Sequence, residues 1–150
     1  MGLHPSRAET VVVDGDVVVD GDGDVNDCTQ PVEGDDRWEG MLSFQRLDVY
    51  RCAIELLSFT ATIEFTRGLS HLADQLRRAA LSVPLNVAEA AGRNSHADAA
   101  RHYAIARGSA MECAAIMDGL FVLKILDEAR HKHAIDLLSR IVAMLTKLCR

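Results

Sequence analysis

Helical periodicity is the feature that most restricts how this chain can fold. From Ser43 to Leu148, apolar residues recur every three or four positions, the spacing that places them on one face of an α-helix. Breaks fall at Gly68, after Gly92 and before Asp127, and no alternating strand pattern competes with the helical one. We predict four helices, over residues 44–64, 69–92, 96–125 and from Asp127 to about 148.

Four helices of this length joined by short loops predict an all-α fold, an antiparallel up-and-down four-helix bundle. Three residues have the side chains that cap helix N-termini, and we expect them to begin the first, third and fourth helices: Ser43, Ser95 and Asp127. Asp98, three residues after Ser95, makes a variant of the capping box there.

The second predicted helix contains a proline, in QLRRAALSVPLNVAEAAGR. Pro84 lacks an N–H and leaves the Ala80 carbonyl without its helical donor, which we expect water or a neighbour's arginine to supply. The polar and apolar stripes keep one register on both sides of Pro84, which favours a single bent helix. The alternative is a new helix with Ser82 as its N-cap and Pro84 in its first turn.

Charge divides the chain near residue 40. Residues 1–40 contain eleven acids and two arginines, whereas residues 41–150 contain eleven acids and fourteen Lys or Arg. The Val-, Asp- and Gly-rich segment 10–27 predicts a disordered acidic tail, with a small hairpin as the alternative. A calcium loop fails because Val25 and Pro31 stand where Gly and Glu are needed. Because the helical pattern begins beside Met41, a second hypothesis makes residues 1–40 a mis-assigned start.

The four cysteines are far apart and form no C-x-x-C pair, so we expect free thiols at buried positions such as Cys52 and Cys113. Free thiols are typical of the reducing cytoplasm, where we expect the protein to act. The chain has no apolar run of about 18 residues, so no membrane span is predicted.

The sequence lacks the patterns of common catalytic and metal sites. A di-iron bundle needs two Glu-x-x-His pairs, and only Glu128 with His131 has that spacing. Ser109 and Cys113 lack the neighbours that activate a nucleophile, and no glycine-rich phosphate loop is present. We therefore predict no enzymatic activity, no metal site and no cofactor.

Arginines concentrate on the second and third predicted helices, at Arg77, Arg78, Arg93, Arg101 and Arg107. Such a group is typical of a solvated helix face, where Glu89 and Arg93 pair at i,i+4 spacing. The alternative is a surface that contacts phosphates or a neighbouring subunit's carboxylates.

QLRRAALSVPLNVAEAAGR and the following SHADAARHYAIARGSAMEC resemble the signature of bacterial four-helix-bundle proteins encoded within intervening sequences of 23S rRNA genes. Accessory proteins of diversity-generating retroelements are structural relatives of that family. The matching positions that we assign to the family motif and its interface are Gln75, Ser82, Pro84, Asn86, Glu89, Gly108, Ser109 and Glu112. Ala90 and the pair Tyr103–Ala104 depart from the family pattern and suggest altered helix packing.

This resemblance implies a non-catalytic bundle that assembles as a ring, with a homopentamer as the expected state. The retroelement relatives bind a reverse transcriptase and nucleic acid through a basic surface. We therefore expect a homo-oligomer that binds RNA, or a nucleic-acid enzyme such as a reverse transcriptase, through its arginines. The alternative is a protein–protein scaffold with no nucleic-acid role.

Overall fold

The structure, a computed structural model, describes residues 40–150. They form a 3₁₀ turn at Ser43–Arg46 and four α-helices: α1 Asp48–Ala61, α2 Ser70–Ala91, α3 His96–Val122 and α4 Glu128–Leu148. The predicted all-α four-helix fold is confirmed for this part of the chain. The predictions of a disordered tail, a hairpin or a mis-assigned start concern residues outside it.

The helix ends meet in the order of an up-and-down bundle. Thr62 after α1, Leu69 before α2, Leu123 after α3 and Arg130 in α4 line one cleft. The main helix contacts join α1 with α2, α2 with α3, α3 with α4 and α4 with α1, and the α2–α3 contact is the most extensive. Each helix therefore runs antiparallel to the helix that follows it in the chain. We call the end with the cleft the loop end.

The core is built from the apolar stripes of all four helices. Its largest fully buried side chains are Leu56, Leu76, Met117, Leu120, Leu138, Ile141 and Leu145. Complete burial of one such side chain contributes roughly 1.5–3 kcal/mol relative to its exposed state. The apolar residues that recur with a period of 3.6 thus pack into one continuous core, to which every helix contributes.

Two of the three predicted caps are confirmed. The Ser95 side chain accepts a bond from Asp98 N at 3.4 Å, and Asp127 Oδ1 accepts one from Arg130 N at 2.8 Å. The prediction for Ser43 is wrong, because Ser43 begins the 3₁₀ turn and α1 begins at Asp48. Leu47 between them has an extended backbone, with ψ of 128°, and this interrupts helical hydrogen bonding.

α2 continues through Pro84 as one helix, so the single-helix prediction is confirmed and the alternative start at Ser82 is wrong. Pro84 is buried and Ala80 has no exposed surface. The Ala80 carbonyl that lacks its donor therefore lies inside the bundle. The expectation that a neighbour's arginine reaches it is wrong, because the core covers that position.

The cysteines differ from the prediction at one position. Cys113 and Cys149 are free, but Cys52 is disulfide-bonded, so the expected free thiol at Cys52 is wrong. Since both other described cysteines are free, the partner lies outside the described residues. Distant cysteines carry no pairing information in their spacing, which is why the sequence did not reveal this bond.

Candidate functional site

A row of polar side chains, which we call the seam, joins α2 to α3. Gln75 Nε2 donates to Glu112 Oε1 at 3.0 Å, and Ser109 Oγ donates to Ser82 Oγ at 2.8 Å. These four residues are motif positions in the predicted signature, and the two pairs are 37 and 27 residues apart in sequence. The motif therefore encodes the pairing of α2 with α3.

Asn86 makes the most contacts in the seam. Its Nδ2 donates to the Ser82 carbonyl at 2.9 Å and to Ser82 Oγ at 3.1 Å, and its Oδ1 lies 3.3 Å from His102 Nδ1. An amide oxygen only accepts hydrogen bonds, so this arrangement places a hydrogen on His102 Nδ1. Sequence reasoning did not select His102, although it precedes Ser109 by seven residues, or two helical turns, and so shares its face.

The seam lacks the contacts of a catalytic centre. Asn86 separates the His102 ring from both serine hydroxyls, so no base touches a nucleophile. Burial, and then the charge of Glu112, raises the pKa of Cys113 to about 12, which keeps that thiol protonated at neutral pH. Among the described residues, no group of three or more His, Cys, Asp or Glu side chains is placed to hold a metal ion. These contacts instead fix how α2 lies against α3.

The predicted arginines fall into separate groups. Arg77 pairs with Asp74 at 3.3 Å, and Arg93 pairs with Glu89 as predicted. Arg78 and Arg93 are fifteen residues apart on or just after α2, a separation of about 22 Å along its axis. The structure therefore places Arg77 and Arg78 towards the loop end and Arg93 towards the opposite end.

The two arginines of α3 differ in exposure. Arg101 is exposed, and neither it nor Arg78 has an ion-pair partner within the part of the chain that the structure describes. Arg107 is half-buried and lies eleven residues, three helical turns, before Asp118. Asp118 contacts His131 of α4, so Arg107 is on the α4 side of α3, away from the seam.

Comparison with known proteins gives one family. The family model described as 23S rRNA-intervening sequence protein matches residues 45–147. The chain belongs to this family. The resemblance carried by the α2–α3 motif is thus confirmed, and the match spans all four helices. None of the curated proteins matches the chain.

This family member carries large apolar side chains on the outer surface of the α2–α3 pair. Leu85 and Met111 are 59% and 58% exposed, and Leu81 and Ile105 are exposed to a similar degree. Between them, Ala104, Gly108 and Ala115 form an exposed line of small residues along α3. We call these seven residues the outer face. Exposed apolar patches of this kind mark interaction surfaces.

The sequence contains a signal for the outer face, namely apolar residues on the sides of α2 and α3 that do not point to the core. α3 is almost equally apolar on all sides, and such helices are usually covered on all sides. On α2, Leu81 and Leu85 fall outside the stripe that points to the core. A groove of about 380 Å³ runs beside Leu85 and is lined by Leu85, Ala88, Glu89, Gly92 and Arg93.

Two of the three departures from the family pattern lie at packed positions. Ala90 and Tyr103 are buried, whereas Ala104 belongs to the outer face. Burial raises the pKa of the Tyr103 phenol.

None of the described helices is long enough and apolar enough to cross a bilayer.

Proposed function

We propose that this protein is a non-catalytic bundle that assembles with copies of itself into a ring and binds RNA through exposed arginines. The observation that carries the proposal is the outer face, an uncovered apolar surface bordered by Arg78 and Arg101.

The shape of the outer face supports ring assembly. Leu81 and Leu85 project from α2, while the exposed small residues of α3 allow another helix to approach closely. Packing the leucines of one copy on the small residues of the next joins two different patches. A contact between different patches closes into a ring when its rotation matches a cyclic symmetry, and a pentamer is the state that the family resemblance implies.

Unpaired positive charge supports RNA binding. Arg78 and Arg101 are exposed and have no ion-pair partner within residues 40–150. A guanidinium group presents five donors in a planar fork that suits phosphate. Repetition around a ring multiplies this charge and so strengthens the field that attracts a polyanion.

The test measures assembly and RNA binding separately. Light scattering after gel filtration gives the mass of the particle, and fluorescence anisotropy with a structured RNA at 50 and 200 mM salt gives binding. We expect Arg78→Glu with Arg101→Glu to keep the oligomer and abolish salt-dependent binding. The control is Arg67→Glu with Lys124→Glu, the same charge change at exposed residues of the loop end. If the unmodified protein shows no binding at 50 mM salt, the RNA function is wrong.

A second candidate is a protein–protein scaffold that makes no contact with nucleic acid. It is favoured by the ion pairs of Arg77 with Asp74 and of Arg93 with Glu89, which already use two of the five predicted arginines. Under this candidate, Arg78→Glu with Arg101→Glu breaks the oligomer. A smaller particle from that variant therefore favours the scaffold over RNA binding.

A further inference from the structure

The cleft at the loop end has the size and the lining of a site for a small ligand. Its volume is about 470 Å³, and pockets that hold small molecules usually measure about 300–1,000 Å³. The loop between α1 and α2 lines one part of the cleft, and the loop between α3 and α4, with the first turn of α4, lines the rest. The cleft shares no residue with the seam or the outer face, so it is a separate site.

Arg130 is held in the cleft by contacts within the protein. Its Nη2 donates to Thr62 Oγ1 at 2.7 Å and to the Thr62 carbonyl at 3.3 Å. Its guanidinium carbon lies 5.3 Å from the centroid of the Phe59 ring, a cation–π contact. These contacts leave the Nε and Nη1 donors for a ligand. A guanidinium group that is already fixed loses little freedom on binding, which favours affinity.

Lys124 has an unusual backbone for a lysine. Its φ of 59° lies in the left-handed region, which is unfavourable for a residue with a Cβ. It follows the C-cap of α3 in a Schellman motif, where the next N–H, of Ile125, donates to the Leu120 carbonyl at 2.9 Å. Glycine is usual at this position, and Gly68 supplies a positive φ in the other loop of the cleft. The helix end alone favours glycine, so we attribute the lysine to its side chain, which lines the cleft.

Three charged side chains line the cleft. Among residues 40–150, none of Glu64, Lys124 and Arg130 has an ion-pair partner. Two cations and one carboxylate are complementary to a ligand that carries both a carboxylate and an ammonium group. A polyanion such as RNA is repelled by Glu64, so a small zwitterion is the better match.

Apolar side chains complete the lining of the cleft. Leu69, Leu123 and Ile125 contribute to it, and Leu123 is 54% exposed. A ligand that covers these side chains removes apolar surface from water, which favours binding. A carboxylate, an ammonium group and an apolar group on one small molecule describe an α-amino acid.

We propose that the loop-end cleft binds an α-amino acid with an apolar side chain. Its carboxylate accepts hydrogen bonds from Lys124 and Arg130, its ammonium group donates to Glu64, and its side chain packs on the apolar lining. These groups come from both loops, so the ligand joins the α1–α2 loop to the α3–α4 loop. The site depends neither on assembly nor on RNA binding.

Amide NMR titrations with three probes test each part of the ligand. Leucine has all three groups, isocaproate lacks the ammonium group, and leucinamide lacks the carboxylate. We expect leucine to give saturable shifts at Leu69, Leu123 and Ile125. Isocaproate and leucinamide should each bind about fivefold more weakly, the effect of losing one partly exposed charge pair.

Substitutions then assign each group to a residue. Lys124→Asn removes the cation but keeps a residue that tolerates a positive φ, and it should weaken leucine binding about fivefold. Arg67→Asn is the matched control, because Arg67 is exposed at the same end of the bundle and does not line the cleft. Glu64→Gln should weaken the binding of leucine but not that of isocaproate. Urea midpoints show that each variant is folded.

Several outcomes overturn the proposal: no saturable shift with leucine up to about 20 mM, equal affinity for leucine and leucinamide, or equal effects of Lys124→Asn and Arg67→Asn. The RNA function is read separately. The double variant Arg67→Glu with Lys124→Glu should lose leucine binding and keep the RNA binding of the unmodified protein. If the unmodified protein binds leucine but no RNA, the proposed function fails and the amino-acid site stands.

Discussion

Replacing Asn86 by alanine tests whether the seam stabilises the bundle. The side chain of Asn86 makes three hydrogen bonds: two to Ser82, at 2.9 and 3.1 Å, and one to His102 at 3.3 Å. It is half-buried, so water replaces these bonds only in part. Asn86→Ala removes all three and leaves Ser82 Oγ with Ser109 as its remaining partner.

The expected cost follows from these contacts. A neutral hydrogen bond contributes about 1 kcal/mol net, so three bonds contribute about 3 kcal/mol. Alanine has a higher helix propensity than asparagine, which offsets roughly 0.6 kcal/mol. The His102 ring is only partly buried, and water recovers part of its bond. We therefore expect the free energy of unfolding to fall by about 2 kcal/mol.

Urea denaturation followed by circular dichroism, at one fixed protein concentration, measures this change. The matched control is Asn94→Ala, because Asn94 is exposed between α2 and α3 and makes no side-chain hydrogen bond within the described residues. We expect the control to change the free energy of unfolding by less than about 0.5 kcal/mol. A loss below that value for Asn86→Ala as well would refute the view that the seam holds α2 against α3.

Three further predictions concern single positions. Gly108→Ala should raise the free energy of unfolding by about 1 kcal/mol, because alanine favours the helix and its added Cβ meets no atom within 4 Å. If a helix of another copy packs closely on Gly108, the same change should weaken assembly. Urea denaturation measures the first effect and light scattering the second. Gly68→Ala should lower the free energy of unfolding by about 1 kcal/mol, because the backbone there has a φ of +95°, and an unchanged urea midpoint would contradict this. For Cys113, the pKa is about 12 in the folded protein against 9.0 for the ordinary thiol. Burial of the protonated thiol therefore contributes fully to stability below pH 9, and this contribution is lost as the pH rises towards 12. We expect the urea midpoint to be lower at pH 10 than at pH 8, and the difference to be smaller in Cys113→Ala.

The seam shows how far sequence reasoning reaches in this protein. A step of 100° per residue places Ser82 and Asn86 on one stripe of α2, so their shared face can be read from the sequence. Ser109 and Glu112 were assigned to the motif by family resemblance alone. That these residues bond one another across the two helices depends on the axial offset of α3, which no periodicity within one helix contains.

The corrections also have local causes. Ser43 has the side chain of an N-cap, but the extended backbone at Leu47 delays α1 to Asp48. The arginines looked like one surface because they are close in sequence, whereas the rise of about 1.5 Å per residue separates Arg78 from Arg93 by about 22 Å. Leu81 and Leu85 lie outside the stripe of α2 that points to the core, and only the packed bundle shows that no described helix covers them.

The sequence by itself determined the four helices, the caps at Ser95 and Asp127, and the continuity of α2 through Pro84. These features depend on residues three to four positions apart, so local hydrogen bonding and periodicity suffice to specify them. Only the tertiary structure decided that Asn86 meets His102, that Pro84 lies in the core and that Leu85 does not. Those outcomes depend on the rotation and offset of each helix against its neighbours, which are set by packing of the whole bundle.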